Sequence, residues 1–248
     1  KGQTVFMLLV QAAITGVILA TVCRGDTPAT APIYLTESLM FSLRMDQLAA
    51  FICLLTAVCW LLTVLYAYVY MHHEKNEPRF YAFLFLTESM VLGSARAADL
   101  VTLYLFYELT TVLSFPLVLH SQNFKALLGA SKYLYYSVGG AFAALFGMMV
   151  LYFQCGSMSF TAGGFMTEVT PLTLTAVFCM ILGFSAKAGL FPLHNWLPSA
   201  HPVAPAPAHA LLSGVIAKVG AVAVIRTIYC MVGVELLRGT WVQTACLC

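Results

Sequence analysis

Seven apolar runs, each near the length that crosses a bilayer, leave this chain few ways to fold. They cover Val5–Val22, Gln47–Met71, Phe80–Ala98, Leu100–His120, Gly129–Phe153, Leu172–Ala186 and Ala208–Met231. A helix rises 1.5 Å per residue, so about 20 apolar residues match the ~30 Å hydrocarbon core. A backbone in lipid must satisfy its own polar groups, which an α-helix does within one segment. Composition points the same way: 61% of residues are hydrophobic and 9% charged, against about 25% charged in soluble domains. Taken alone, Val5–Val22 reads as a signal peptide; six further runs behind it favour a membrane helix. The expected fold is all-α, a polytopic transmembrane helix bundle in a lipid bilayer. The chain opens at Lys1 without an initiator methionine, as a piece of a longer protein would.

Several function classes drop out early. Net charge is +2 and no basic patch is interleaved with aromatics, so nothing directs the chain to nucleic acid. The cysteines are Cys23, Cys53, Cys59, Cys155, Cys179, Cys230, Cys246 and Cys248. They form no CxxC pair and no cluster with metal-ligand spacing; most sit in apolar runs, where cysteine acts as a small, buried hydrophobe. That argues against an iron–sulfur or haem site. No GxGxxG or phosphate-cradling loop occurs, and no cofactor is expected in this chain. Short-loop cations divide evenly, with Lys1, Lys75, Arg79 and Lys125 on one side and Arg24, Arg44, Arg96 and Arg238 on the other. The positive-inside rule therefore leaves the orientation open.

The stretch from Ser185 to Ala210 breaks the pattern. The run before it, Leu172–Ala186, has only 15 residues. Lys187 arrives before the crossing is complete, and Pro192 removes a backbone donor five residues later. This spacing predicts a broken helix: one half to about Lys187, an unwound link, then a short half through Trp196. Backbone groups freed by such a break must face protein or water.

Charges inside the other runs are costly, roughly 2.5–3.5 kcal/mol each at helix centre on insertion scales. Glu108 lies eight residues past Leu100, about 12 Å down its helix. Lys218 lies ten residues past Ala208, about 15 Å down. With Lys187 they form a set that either pairs to fix packing or handles protons. Burial works against a charged lysine and a nearby carboxylate works for it, so bringing Glu108 and Lys187 together or apart would make a two-state proton switch. Histidine suits a relay because it titrates near neutrality. Lys187, His194 and His201 are spaced seven apart, but the prolines between them interrupt a shared face. His201 and His209 fit a membrane surface equally well, and His72, His73 and His120 read as solvated ends. Glu88 sits mid-run, with Lys132 or Arg96 as candidate partners; Lys132 fits an interfacial anchor as well as a functional group. Tyr133, Tyr135 and Tyr136 read as interface or packing residues.

Three motifs carry a family resemblance. DLVTLYLFYEL (Asp99–Leu109) and KAGLFPLHNWLPSAHPVAPAPAHALLSGVIAKVGAVAVIR (Lys187–Arg226) resemble the antiporter-like membrane subunits shared by respiratory complex I, membrane-bound hydrogenases and Mrp-type cation/proton antiporters. SLRMDQLAAF (Ser42–Phe51) is similar to the family's entry into an earlier helix. The resemblance implies the first half of an inverted-repeat fold: helices and loop over 1–79, a five-helix repeat over 80–232 with its break near 187–200, and the start of a further element over 233–248. It implies that Glu108 pairs with Lys187 and that Lys218 passes protons along a polar axis. Lys132, in SKYLYYS, matches a family lysine near that axis, and His194 and His201 match the motif's histidines. His209 stands where serine is more usual and Glu88 lies outside the motifs; with Asp99 they are further candidates for proton transfer. The resemblance also implies a second repeat beyond these residues, expected either from a longer chain of which this is a fragment or from a partner.

The expected function is proton translocation as one subunit of a redox-driven complex, with redox chemistry left to other membrane subunits. The alternatives are an Mrp-type antiporter subunit exchanging Na⁺ or K⁺ for protons, and a structural subunit whose buried charges only set packing. The expected location is a bacterial or archaeal cytoplasmic membrane, or an organellar inner membrane.

Overall fold

The structure is a computed structural model that describes residues 2–34, 40–156, 158–166 and 170–247; Lys1 and Cys248 lie outside that set. Helices α1 (Gly2–Arg24), α2 (Gln47–Tyr70), α3 (Glu77–Arg96), α4 (Leu100–Val118), α5 (Phe124–Cys155) and α6 (Pro171–Ala188) run in chain order. Short helices α7 (Leu197–Ala200) and α8 (Ala206–Leu211) follow, then α9 (Lys218–Arg226), α10 (Val234–Leu237) and α11 (Trp241–Leu247). A two-stranded hairpin, β1 (Ile33–Tyr34) against β2 (Met40–Phe41), lies between α1 and α2.

Among the described residues, six helical stretches are long and apolar enough to cross a membrane. The protein is an all-α, multi-pass membrane helix bundle. The third expected span, α3, forms a full helix but is not apolar enough by the same measure, because it carries Glu77, Arg79, Glu88 and Arg96. Its buried face packs on the bundle through Phe80, Leu84 and Val91. The last span, Ala206–Val232, is not regular α-helix either. Two π-turns interrupt it, at Leu212–Ile216 and Thr227–Val232.

Local chemistry sets where these helices begin. Asp46, Asp99 and Asn123 each accept a hydrogen bond from the amide three residues on, capping α2, α4 and α5. Thr170 and Thr173 make a reciprocal capping box ahead of α6, with Pro171 in its first turn.

Small residues bring α5 and α6 into backbone contact. A Cβ on Gly183 would stand 2.3 Å from Gly140 O, and one on Gly147 would stand 2.3 Å from Ala176 O. Close approach of this kind drives helix association where lipid removes the hydrophobic incentive. Lys187 sits one turn past Gly183, so this crossing sets where its side chain starts. Gly183→Ala is expected to lower stability by about 1–3 kcal/mol, the usual range for overpacking. Gly139→Ala, with open space around its Cβ, should lose nothing. Equal melting temperatures for the two variants in detergent would refute the crossing's role.

One end of the bundle is closed by crossing segments. Residues 158–166 run between α4 and the last span, with Leu100 N donating to Met158 O, Phe160 N to Ala98 O and Thr161 N to Cys230 O. The hairpin side joins through Ala98 N to Ser42 O and Arg44 N to Arg96 O.

Two side-chain expectations change and one narrows. His120 is buried rather than solvated; its Nε2 lies 3.0 Å from Lys75 O and its ring meets Phe80 edge-on. Burial and the neighbouring Arg79 cation hold its pKa below the usual histidine range. Among the described cysteines only Cys53 is buried, and Cys23 and Cys246 are exposed. Tyr133 is fully buried, which leaves it a packing residue and not an interfacial one.

Candidate functional site

Lys187 is wholly buried in the last turn of α6. Its Nζ donates to Tyr107 O at 2.6 Å and Thr111 Oγ1 at 2.8 Å. It also stands 4.1 Å from the centroid of the Tyr107 ring, a desolvated cation–π contact. Position near a helix C-terminus favours a cation there. Tyr107, Thr111 and Ser114 recur at i, i+4 and i+7 on α4, which puts them on one face. Tyr107 and Thr111 on that face meet α6, and Ser114 meets Tyr133 of α5. Phe184, one turn before Lys187 on α6, packs edge-on against Tyr107 at 5.2 Å.

Glu108 is the ninth of α4's 19 residues and partly buried. Its Oε1 is buried and takes no hydrogen bond. Lys187 is near enough for each charge to act on the other, but the ammonium donates to Tyr107 and Thr111. Among the described residues the ion pairs are Arg226–Asp46 and Arg238–Glu235.

The helix break falls where the lysine and proline predict, with one boundary moved. Gly189, at φ 73°, ends α6 in a left-handed cap that few side chains tolerate. Residues 189–196 are the unwound link, and the short helical half begins at Leu197, after Trp196 rather than before it. Trp196 belongs to the link because its indole takes up a carbonyl that the break frees: Nε1 donates to Ala186 O at 2.8 Å. Pro192 and His194 are exposed in this link, and the His194 ring stacks on Phe191.

A string of polar groups leads away from Lys187. Ser114 Oγ and the Tyr133 hydroxyl are 2.7 Å apart, both fully buried. The Tyr133 ring lies 5.0 Å from Trp196, which lies 5.9 Å from His201. The His201 and His209 rings are 4.7 Å apart, and His201 Nε2 is buried without a partner. Sequence reasoning passed over Tyr107, Thr111, Ser114 and Trp196. Their spacing along α4 was the available signal for the first three, but hydroxyl side chains inside apolar runs are common and carry no charge to mark them.

The remaining candidates lie elsewhere. Lys218 is exposed, its ammonium donating to Ser213 O within the π-turn. Ala217 N reaches back to Leu212 O there. His209 is exposed as well. Lys132 is exposed and donates to Ser199 Oγ at 3.2 Å. Asp99 is fully buried and accepts from Thr102 N, Thr102 Oγ1 and Ser42 Oγ, the bonding of a helix cap. Glu88 is buried, and its partner is neither Lys132 nor Arg96. Gln11 Nε2 of α1 donates to its Oε1 at 2.7 Å, which with Thr15 Oγ1 donating to Ala57 O ties α1 to the bundle.

The second buried cation was also unexpected. Arg226 at the end of α9 is 2% exposed; it pairs with Asp46 through both terminal nitrogens and donates to Ala95 O at 3.1 Å. It joins the start of α2, the end of α3 and the last span, beside the Phe160 ring.

Residues 97–247, more than half of the chain, match the family described as NADH:quinone oxidoreductase/Mrp antiporter, TM. The chain belongs to this antiporter-like family. A second match, complex I chain 5 N-terminus, covers residues 35–81. The chain is 30% identical over 192 residues to NADH-quinone oxidoreductase subunit N of Desulforudis audaxviator, covering 75% of this chain and 38% of that protein. It is 34% identical over 203 residues to a probable K(+)/H(+) antiporter protein of Rhizobium meliloti, covering 79% of this chain and 20% of that one. A chain in the solved Mrp complex from Dietzia sp. shares the fold, with TM-score 0.78 at 19% identity over 90% of this chain and 43% of its own. The antiporter-like chain thus spans well under half the length of these proteins.

Proposed function

We propose that this chain carries protons across a membrane as one subunit of a redox-driven complex, with Lys187 as the group that loads and releases the proton. The observation that carries this reading is a fully buried ammonium held by one carbonyl and one hydroxyl, beside a carboxylate oxygen that is buried and unpartnered. A purely structural lysine would be expected to close on that carboxylate. Here Glu108 Oε1 takes no hydrogen bond, and the distance between the two charges sets how strongly Lys187 holds its proton. Approach of Glu108 favours the ammonium; retreat favours release. The Thr111, Ser114 and Tyr133 hydroxyls each give and accept a proton, so they form the exit from Lys187. Water carries the step past Trp196 to His201 and His209. Lys218, exposed at the outer face, would take the proton onward into whatever covers it.

A second reading, an Mrp-type Na⁺ or K⁺/H⁺ antiporter subunit, is favoured by the likeness to the Dietzia Mrp chain and the Rhizobium antiporter. The proteins that copurify in mild detergent separate the two: quinone or hydrogenase modules mark the pump, small hydrophobic partners alone the antiporter.

Both readings are tested by Glu108→Gln in the complex reconstituted into vesicles with a trapped pH dye. Removing one charge near Lys187 should slow proton transfer roughly tenfold, about 1.4 kcal/mol and within the reach of a charge pair at an effective dielectric near 20. An unchanged rate in an intact complex would leave only the structural reading.

A further inference from the structure

We propose that the outer face of α5 holds a single anionic phospholipid, with its phosphate between Lys125 and Lys132 and one acyl chain lying along the helix below them. Two adjoining grooves make the site. The upper one, about 440 Å³, lies between the start of α5 and the α7 segment and is lined by Lys125, Lys132, Tyr135 and Ser199. The lower one, about 360 Å³, runs between α5 and α6 beside Gly139, Ala143, Leu182 and Leu193. Tyr135 lines both, so the two grooves adjoin on the surface.

Charge and depth select the occupant. Lys125 and Lys132 are seven residues apart, hence on one face of the helix, and no acidic residue lines their groove. Two ammonium groups and the positive end of a helix then act on the same space. At 32 residues α5 is about 48 Å long, well beyond the ~30 Å hydrocarbon core. Its apolar run begins at Gly129, which puts Lys125 at headgroup level and Lys132 about a turn inside the run, where its long side chain can reach up to a phosphate. From Lys132 to Ala143 is about 16 Å along the helix, the depth of one leaflet. The lower groove is apolar and lies where an acyl chain hanging from that phosphate would run. The missing side chain of Gly139 gives it room; a Cβ there would meet nothing within 4 Å. Tyr135, 75% exposed, lines both grooves and offers both an apolar ring and a polar hydroxyl at the junction of headgroup and tail.

The test uses the chain in its complex, purified in mild detergent and offered phosphatidylglycerol or phosphatidylcholine with matched acyl chains, with bound lipid read by native mass spectrometry. Phosphatidylglycerol should be retained preferentially. Lys125→Gln with Lys132→Gln should weaken its retention about thirtyfold, the effect of two near-surface lysines, while the double Lys→Arg variant keeps it. Gly139→Leu fills the tail groove without altering charge and should weaken retention of the same lipid. A photo-crosslinker at position 135 should label lipid. Equal retention of the two lipids, or no effect of the Lys→Gln pair, would overturn the proposal, as would a crosslink from position 135 to a partner protein in the assembled complex.

Discussion

Lys187→Met should stop proton transfer in reconstituted vesicles, by on the order of 10²–10⁴-fold, the range a positioned proton-transfer group contributes. The variant keeps most of the side-chain volume, so the packing of Phe184 and Tyr107 around it is retained. The lost partners are mild ones. Tyr107 O belongs to a helix and keeps a partner there, and Thr111 Oγ1 has a second contact at Tyr107 O. Removing a buried charge also removes its desolvation penalty, so the variant should assemble as well as wild type or better. The expected signature is therefore an intact complex that turns over its other chemistry without moving protons. A Lys187→Met complex that assembles and acidifies vesicles at the normal rate would show that the lysine only sets packing.

Arg226→Leu and Asp46→Ala should differ sharply from each other. Asp46→Ala leaves the Arg226 cation almost fully buried with Ala95 O as its remaining polar partner. Breaking a buried pair from one side costs about 3–5 kcal/mol; the 31% exposure of the Asp46 side chain puts the expectation at about 3. Arg226→Leu removes the charge along with the pair and should cost less. Thermal melts in detergent report the order, and an Asp46→Ala protein as stable as Arg226→Leu would contradict it. The pair also predicts an acid limit. Burial pushes the Asp46 carboxyl up, but the Arg226 hydrogen bonds, the Ala49 amide, and the Arg226 and Arg44 charges more than offset it. Its pKa lies below the ordinary 3.8. A carboxyl with a depressed folded pKa contributes stability that is full above its unfolded value and lost as pH falls through the folded one. Loss of melting temperature should therefore begin below about pH 4 in wild type and be blunted in Arg226→Leu.

Much of the architecture was legible because lipid makes structure local. A backbone in hydrocarbon must close its hydrogen bonds within one segment, so the length of each apolar run already placed α1, α2, α4, α5 and the last span. The same logic exposed a break just past Lys187, since a lysine and a proline after 15 apolar residues leave no room for a continuous helix. The exception is instructive. In α3 the boundaries were visible, but Glu88 had no partner in view, because Gln11 lies 77 residues away on a helix that reads as featureless.

The site was legible only in part. Lys187, Glu108 and Lys218 stand out in sequence because charge in an apolar run is conspicuous. Hydroxyls are not conspicuous, so Thr111 and Ser114 escaped notice and Tyr133 read as no more than interface or packing. The Asp46–Arg226 pair escaped for another reason: its members are 180 residues apart, and Asp46 lies just ahead of one apolar run while Arg226 lies inside another, so nothing local links them.

By itself the amino-acid sequence determined the membrane class, the number of turns available to each helix, and the place where one helix must break. Tertiary structure alone decided which way the polar residues face. Helical period relates residues within one segment, but the rotation of one helix against another comes from packing, here the backbone contact between Gly140 and Gly183. That contact turned Lys187 toward Tyr107 and Thr111, while the close approach of Gly220 to Phe184 O and Ala188 N sets the rotation of the last span and leaves Lys218 exposed.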